Sequence, residues 1–123
     1  MPAIQGRAKS AWEQNRWIAK GDLQADQTAV DDGKWQPVQG LWPLTITIGG
    51  AFTSVTAELR VCNQKRRPAD TDNSWPSIYT IGEPRVLTLE QPFIWIKLQV
   101  TAIVTEEDDA GISASYAAGG QGG

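Results

Sequence analysis

Leu44-Thr45-Ile46-Thr47-Ile48 alternates apolar and polar side chains, and Gly49-Gly50 closes the run. Shortly after it, Val55-Thr56-Ala57-Glu58-Leu59-Arg60-Val61-Cys62 repeats the alternation. Successive side chains of an extended chain point to opposite faces, so a period of two puts Leu44, Ile46 and Ile48 on one side. The same rule groups Val55, Ala57, Leu59 and Val61. A helical repeat would scatter both sets around the axis. Two half-buried strands are therefore predicted, and each needs an apolar face opposite it.

Downstream the pattern continues. Residues 63–74 read as a loop holding Lys65-Arg66-Arg67-Pro68 and Asp70-Thr71-Asp72-Asn73. Residues 75–81 read as a short strand, weakened at its start because Pro76 cannot donate to a ladder. Gly82-Glu83-Pro84 turns the chain into a strand over 86–89. The longest predicted strand covers 93–105, with Ile94, Ile96, Leu98, Val100, Ala102 and Val104 on one face. Trp95, Lys97, Gln99 and Thr101 take the other. Glu106-Glu107-Asp108-Asp109-Ala110-Gly111 signals a turn, and 112–118 is expected as the return strand of a hairpin. Six or seven short strands, with no helical period after Gly40, give an all-β chain. The architecture expected is an antiparallel β-sandwich, the jelly roll included.

The first 33 residues differ. They are polar and rich in Gln, Asp and Ala, and they read as an N-terminal arm ahead of a sandwich domain over 34–118. Residues 119–123 read as a Gly-rich tail. Ser10-Ala11-Trp12-Glu13 fits a capping box for a short helix over 11–19, and a strand through Arg16-Trp17-Ile18 is the competing reading. In both readings Trp12, Trp17 and Ile18 are too apolar to stand in water uncovered. Deletion of residues 1–33 is expected to leave a folded sandwich that no longer binds its assembly.

Composition narrows function by exclusion. The 123 residues contain no histidine and one cysteine, Cys62. That removes a Ser-His-Asp or Cys-His nucleophile pair and ordinary Cys/His zinc sites, and it leaves no internal disulfide. Glu58, Glu83 and Glu90 offer carboxylates, yet nothing in their spacing fixes a pair at a catalytic separation. The acidic runs at 106–109 and 70–73 supply oxygen ligands but lack a spaced calcium-loop register, and both read as solvated turns. The chain is expected to be no enzyme, with no cofactor and no metal.

No apolar stretch approaches the roughly 18 residues of a membrane span, and the start has no apolar leader region. Synthesis in a cytoplasm and no membrane partner are expected. The net charge of −3 disfavours nucleic acid. Charge is nonetheless uneven: Arg7, Lys9, Arg16 and Lys20 face only Glu13 in the first twenty residues, leaving an acidic body. A basic arm on an acidic body suits an acidic neighbour, a copy of the same chain among them. The candidate partner-binding residues are Trp12, Arg16, Trp17 and Ile18 on the arm, Lys65, Arg66 and Arg67 on the loop, and Trp95. Trp95 stands opposite the aliphatic row, so it lies in a second covered layer or forms an exposed platform. Exposed tryptophans on a sandwich also hold sugars, which keeps a carbohydrate-binding module open.

Three short motifs extend this reading: Gly50-Ala51-Phe52-Thr53-Ser54-Val55, Asp72-Asn73-Ser74-Trp75, and Pro92-Phe93-Ile94-Trp95-Ile96-Lys97-Leu98-Gln99-Val100-Thr101. Together with Trp35-Gln36-Pro37-Val38 they resemble a group of small structural proteins of tailed-phage virions, over about residues 35–120. Thr53-Ser54 stands where the first motif of that group has its second glycine. The resemblance implies a non-enzymatic virion part, first a capsid decoration or cement protein that binds major capsid subunits or other virion proteins. A tail, collar or head-to-tail connector component is the alternative it implies.

Overall fold

The computed structural model describes residues 18–119. The chain runs β1 (Ile18–Gln27), β2 (Gln36–Pro37), β3 (Leu44–Ala51), β4 (Ser54–Cys62), β5 (Ser77–Ile81), β6 (Arg85–Leu89), β7 (Trp95–Val104) and β8 (Gly111–Gly119). The strands form two four-stranded sheets, ordered β1-β8-β3-β6 and β2-β7-β4-β5, with every pairing antiparallel. This is the strand order of a jelly roll, so the expected all-β sandwich is the fold observed.

The alternation that predicts β3 and β4 is the alternation that packs. Leu44, Ile46 and Ile48 are buried from one sheet, and Val55, Ala57, Leu59 and Val61 from the other. Ile96, Leu98 and Val100 of β7 and Ile112, Ala114, Tyr116 and Ala118 of β8 complete the layer between them. Each such side chain removed from water contributes on the order of 1.5–3 kcal/mol for the larger aliphatics.

Three expectations change. The first concerns residues 18–33, expected as part of an arm. Residues 18–27 are instead edge strand β1, paired with β8 from Ile18↔Gly119 to Gln27↔Ile112. Leu23 enters the core at 5% exposure, and buried Gln24 donates its side-chain amide to the Leu98 carbonyl at 2.8 Å. Without β1 the ladder edge of β8 would lie open. The chain then crosses to the second sheet, where Asp31 and Val100 exchange two backbone hydrogen bonds of 3.0 and 2.8 Å. The expected helix over 11–19 ends inside this strand at residues 18 and 19, and residues 11–17 lie outside the described residues. The tail boundary also shifts, since Gly119 belongs to β8 and residues 120–123 lie outside the described residues.

The second concerns the connection after β7. Glu106 to Ala110 do form a tight turn, with Asp109 N–H donating to the Glu106 carbonyl at 3.0 Å. The turn does not make a hairpin, because β7 and β8 belong to different sheets. Among the described residues, β4 and β5 are the consecutive strands that pair in one sheet, across the long 63–76 loop.

The third concerns the aliphatic row of β7. The register slips between Thr56 and Ala57, which oppose Ala102 and Val100. Thr101 is the extra residue, and its hydroxyl donates to the Thr56 carbonyl at 3.0 Å. One inserted residue reverses the facing of the strand beyond it. Ile103 therefore packs toward the core, while Ala102 is exposed and Val104 stands at 55% exposure.

Where β3 ends against β8, both strands need glycine. Gly50 and Gly111 have φ of 119° and 97°, a region that side chains rarely adopt. A Cβ at either would strike backbone: Gly111's carbonyl oxygen from position 50, Gln27's from position 111.

Candidate functional site

The basic residues of the 63–76 loop are held by a polar network on the outward face of the second sheet. Its centre is Lys97. The alternation of β7 places Lys97 away from the core, yet its side chain is 0% exposed. The loop folds over it. The Lys97 ammonium donates to the Asp70 carbonyl at 2.6 Å and to the Asn73 side-chain oxygen at 2.5 Å. It also stands 5.1 Å from the centroid of the Trp35 ring, within cation–π range. Burial is the main influence on its pKa and lowers it; the carboxylate of Asp32 opposes that shift.

Neighbouring groups complete the bracing. Asn73 donates to Asp32 at 3.0 Å. Trp35, 1% exposed, donates its indole N–H to the Ala69 carbonyl at 3.0 Å, and its backbone N–H to the Asp70 carboxylate at 3.0 Å. At the far end of the loop, Arg60 donates to the Trp75 carbonyl at 2.7 Å. Asp72 accepts from Ser74 and Trp75, and its hydrogen bonds from Ser74 lower its pKa. The 70–73 oxygens are thus committed to ordering the loop.

The predicted site residues separate on this scaffold. Lys65 and Arg66 are exposed on the loop. Arg67 turns back, donating to the Trp35 carbonyl at 3.3 Å and pairing with Asp70 at 2.8 Å. Trp95 is half-buried, its indole N–H donating to the Gln64 carbonyl at 3.1 Å. Trp95 is thus partly covered by the 63–76 loop and partly exposed. Ile18 opens β1 at its pairing with Gly119. Trp12, Arg16 and Trp17 lie outside the described residues. Among the described tryptophans, Trp42 is the exposed one, at 37%.

Strand register also decides which residues share an end of the sandwich. Ile18 opposes Gly119, Leu44 opposes Leu89 and Ala118, and Cys62 opposes Trp95, which puts these residues at one end. Ala51 opposes Gly111, Ile48 opposes Arg85, and Ser54 opposes Val104 at the other. Lys20, Lys65 and Arg66 therefore lie toward the first end. Glu83, Glu106, Glu107 and Asp108 sit on turns at the second. Glu90 follows Leu89 at the first end and Arg85 lies at the second, so the molecule carries a predominantly basic end and a predominantly acidic end.

Among the described residues the outer edges of β5 and β6 are unpaired, and so is part of the β7 edge beside the acidic end. β2 covers β7 only at Trp95 and Ile96, and Asp31 covers it at Val100. From Thr101 to Val104, no described residue pairs with β7 on the side away from β4. Val104 at 55% and Val30 at 64% are exposed nearby. Sequence reasoning missed this edge because it placed Val104 in the core. It missed Lys97 because nothing in β7 itself marks a buried ammonium.

The strands define a two-sheet antiparallel β-sandwich. No family model matches the chain. No curated protein matches it either. Solved structures share its fold. The SPBc2 prophage-derived protein YomS superposes with a TM-score of 0.53 at 13% identity, over 85% of this chain and 95% of that one. The PBSX exported protein XepA gives 0.64 at 13% identity over 86% of this chain, which spans 39% of XepA. The same sandwich thus nearly fills one protein and forms a part of a longer one.

Proposed function

We propose that this chain is a non-enzymatic structural component of a phage particle, acting through protein contacts, with capsid decoration or cement as its first placement. The separation of a basic end from an acidic end on a rigid sandwich is the observation that carries the reading. Charge so arranged orients a subunit against its neighbours and disfavours wrong registers. The fold likeness to a prophage-derived protein and the resemblance of the Gly50, Asp72 and Pro92 motifs support the phage context. Lys65 and Arg66, held in place by the Lys97 network, would meet carboxylates of the major capsid protein or another virion protein.

A tail, collar or connector position uses the same surfaces, and copy number separates the two. Particles are purified on a density gradient and the chain is quantified in them by mass spectrometry. Tens to hundreds of copies support decoration, and a small ring number supports the connector reading. Absence from particles of a phage that encodes the chain would refute both. A sugar-binding module has less support, because Trp42 is the single exposed tryptophan among the described residues, while Trp35 is buried and Trp75 and Trp95 are half-buried and hydrogen-bonded within the fold.

A further inference from the structure

We infer that copies of this chain associate head to tail, with residues 1–17 of one copy adding to the open edge of β7 in the next. The inference goes beyond a place in a particle and stands independently of it. The receiving surface is the stretch Thr101–Val104, flanked by exposed Val30 and Val104 and bordered by Glu106, Glu107 and Asp108. An edge of this kind, unpaired among the described residues, binds an extended segment through main-chain hydrogen bonds, while flanking side chains choose the segment.

The chemistry of the surface selects its occupant. It asks for apolar side chains against the two valines and cations against the carboxylates. Residues 1–17 supply Trp12 and Trp17 for the first, and Arg7, Lys9 and Arg16 for the second, with Glu13 as their one acidic residue.

Direction decides between a neighbour and the same molecule. The leading segment joins the body at Ile18, in the basic end, and β1 runs from there to the acidic end. Ten residues of strand span about 33 Å. To cover its own β7 edge, the segment would have to reverse at Ile18 and run back along the body. Onto a neighbour stacked along β1 it continues without reversing, and its extended reach of about 56 Å suffices. The contact joins two different surfaces, so repetition closes a ring or grows a filament.

The test uses the full chain, mixed from equal parts of unlabelled and ¹⁵N-labelled protein, with a carbodiimide to join amines to adjacent carboxylates. Expected are peptides linking Lys9 to Glu106, Glu107 or Asp108 that combine a light and a heavy partner. Sedimentation should show self-association that weakens with added salt. Glu106→Lys with Glu107→Lys should raise the dissociation constant by about tenfold or more, since like charges would then meet. Val104→Lys, at an exposed position, should weaken association with an unchanged melting temperature. Links confined to all-light and all-heavy pairs would place the segment on its own body and overturn the inference. So would a monomer at all concentrations, or association indifferent to both variants. Self-association by a chain that joins no particle would leave this inference standing and remove the function proposed above.

Discussion

The Lys97 ammonium donates to the Asp70 backbone carbonyl at 2.6 Å from a side chain that is 0% exposed. A residue on the outward face of a sheet thereby becomes the fastening of a long surface loop. A buried charge is tolerated when hydrogen bonds and nearby opposite charges replace its water. Asp70, Asn73, the Trp35 ring and the Asp32 carboxylate do that here. The consequence reaches the candidate site, because Lys65 and Arg66 ride on the loop that this contact holds.

Lys97→Met keeps the apolar stem and removes the ammonium. It leaves the Asp70 and Asn73 oxygens without their donor, a loss of about 1–3 kcal/mol for each group left buried and unpaired. The 63–76 loop is expected to loosen before the sandwich does. Trypsin should cut after Lys65 or Arg66 at a concentration that spares the wild type, while the sheets keep their far-ultraviolet dichroism. Equal protease resistance would show that the loop is held by Trp35 and Arg60 alone.

The same residue sets a pH dependence. Burial lowers the Lys97 pKa below the ordinary 10.5 despite the neighbouring carboxylates. Between the depressed folded value and 10.5, the unfolded chain binds more protons than the folded one. Stability from this group therefore rises with pH across that window. Tyr116, whose burial raises its pKa, acts oppositely at high pH but equally in both proteins. The stability difference between wild type and Lys97→Met should widen from pH 7 toward pH 10 in urea titrations. A difference that shrinks as the pH rises would contradict the assigned shift.

Gly111→Ala tests the junction of β1, β3 and β8. Its φ of 97° and the Gln27 carbonyl against any added Cβ make the substitution costly, by about 1–3 kcal/mol for the backbone strain alone. Gly49→Ala is the control. It lacks positive φ, and a Cβ there meets nothing within 4 Å. It should be neutral or slightly stabilising, by about 0.4–1 kcal/mol through the unfolded chain. Thermal unfolding of the two variants should separate them clearly, and similar losses would mean that strand propensity matters more than the junction.

The parts legible in the sequence are those where one face is apolar and the other polar. Leu44, Ile46 and Ile48, then Val55 to Val61, declare both their strands and their facing. β1 hides because Leu23 and Ala19 are its described apolar contributions to the core, and because register shifts after Asp22 and Gln24 break its alternation. The Thr101 bulge is equally silent, since an unbroken aliphatic alternation from Ile94 to Val104 continues straight through it. At the candidate site, the exposure of Lys65 and Arg66 is expected from their loop. Burial of Lys97 and Trp35 is not, because it arises from a loop that returns across the sheet.

The placement of β1 changes what truncation should do. Removing residues 1–17 takes away no described contact, so that shortened chain is expected to unfold within a few degrees of the full one. If the leading segment is an interface, self-association should fall with it. Removing residues 1–33 also strips β1 from β8, empties the Leu23 position, and leaves the Leu98 carbonyl without the Gln24 donor. It removes the Asp31 bridge to Val100 as well. Stripping β1 exposes apolar core positions and opens the β8 edge to water, losses that take a large share of the usual margin of about 5–15 kcal/mol. The longer truncation should therefore yield aggregated protein, or soluble protein without a cooperative transition. A well-folded product lacking residues 1–33 would show that β8 tolerates an open edge, and that residues 18–27 join the sheet without being required by it.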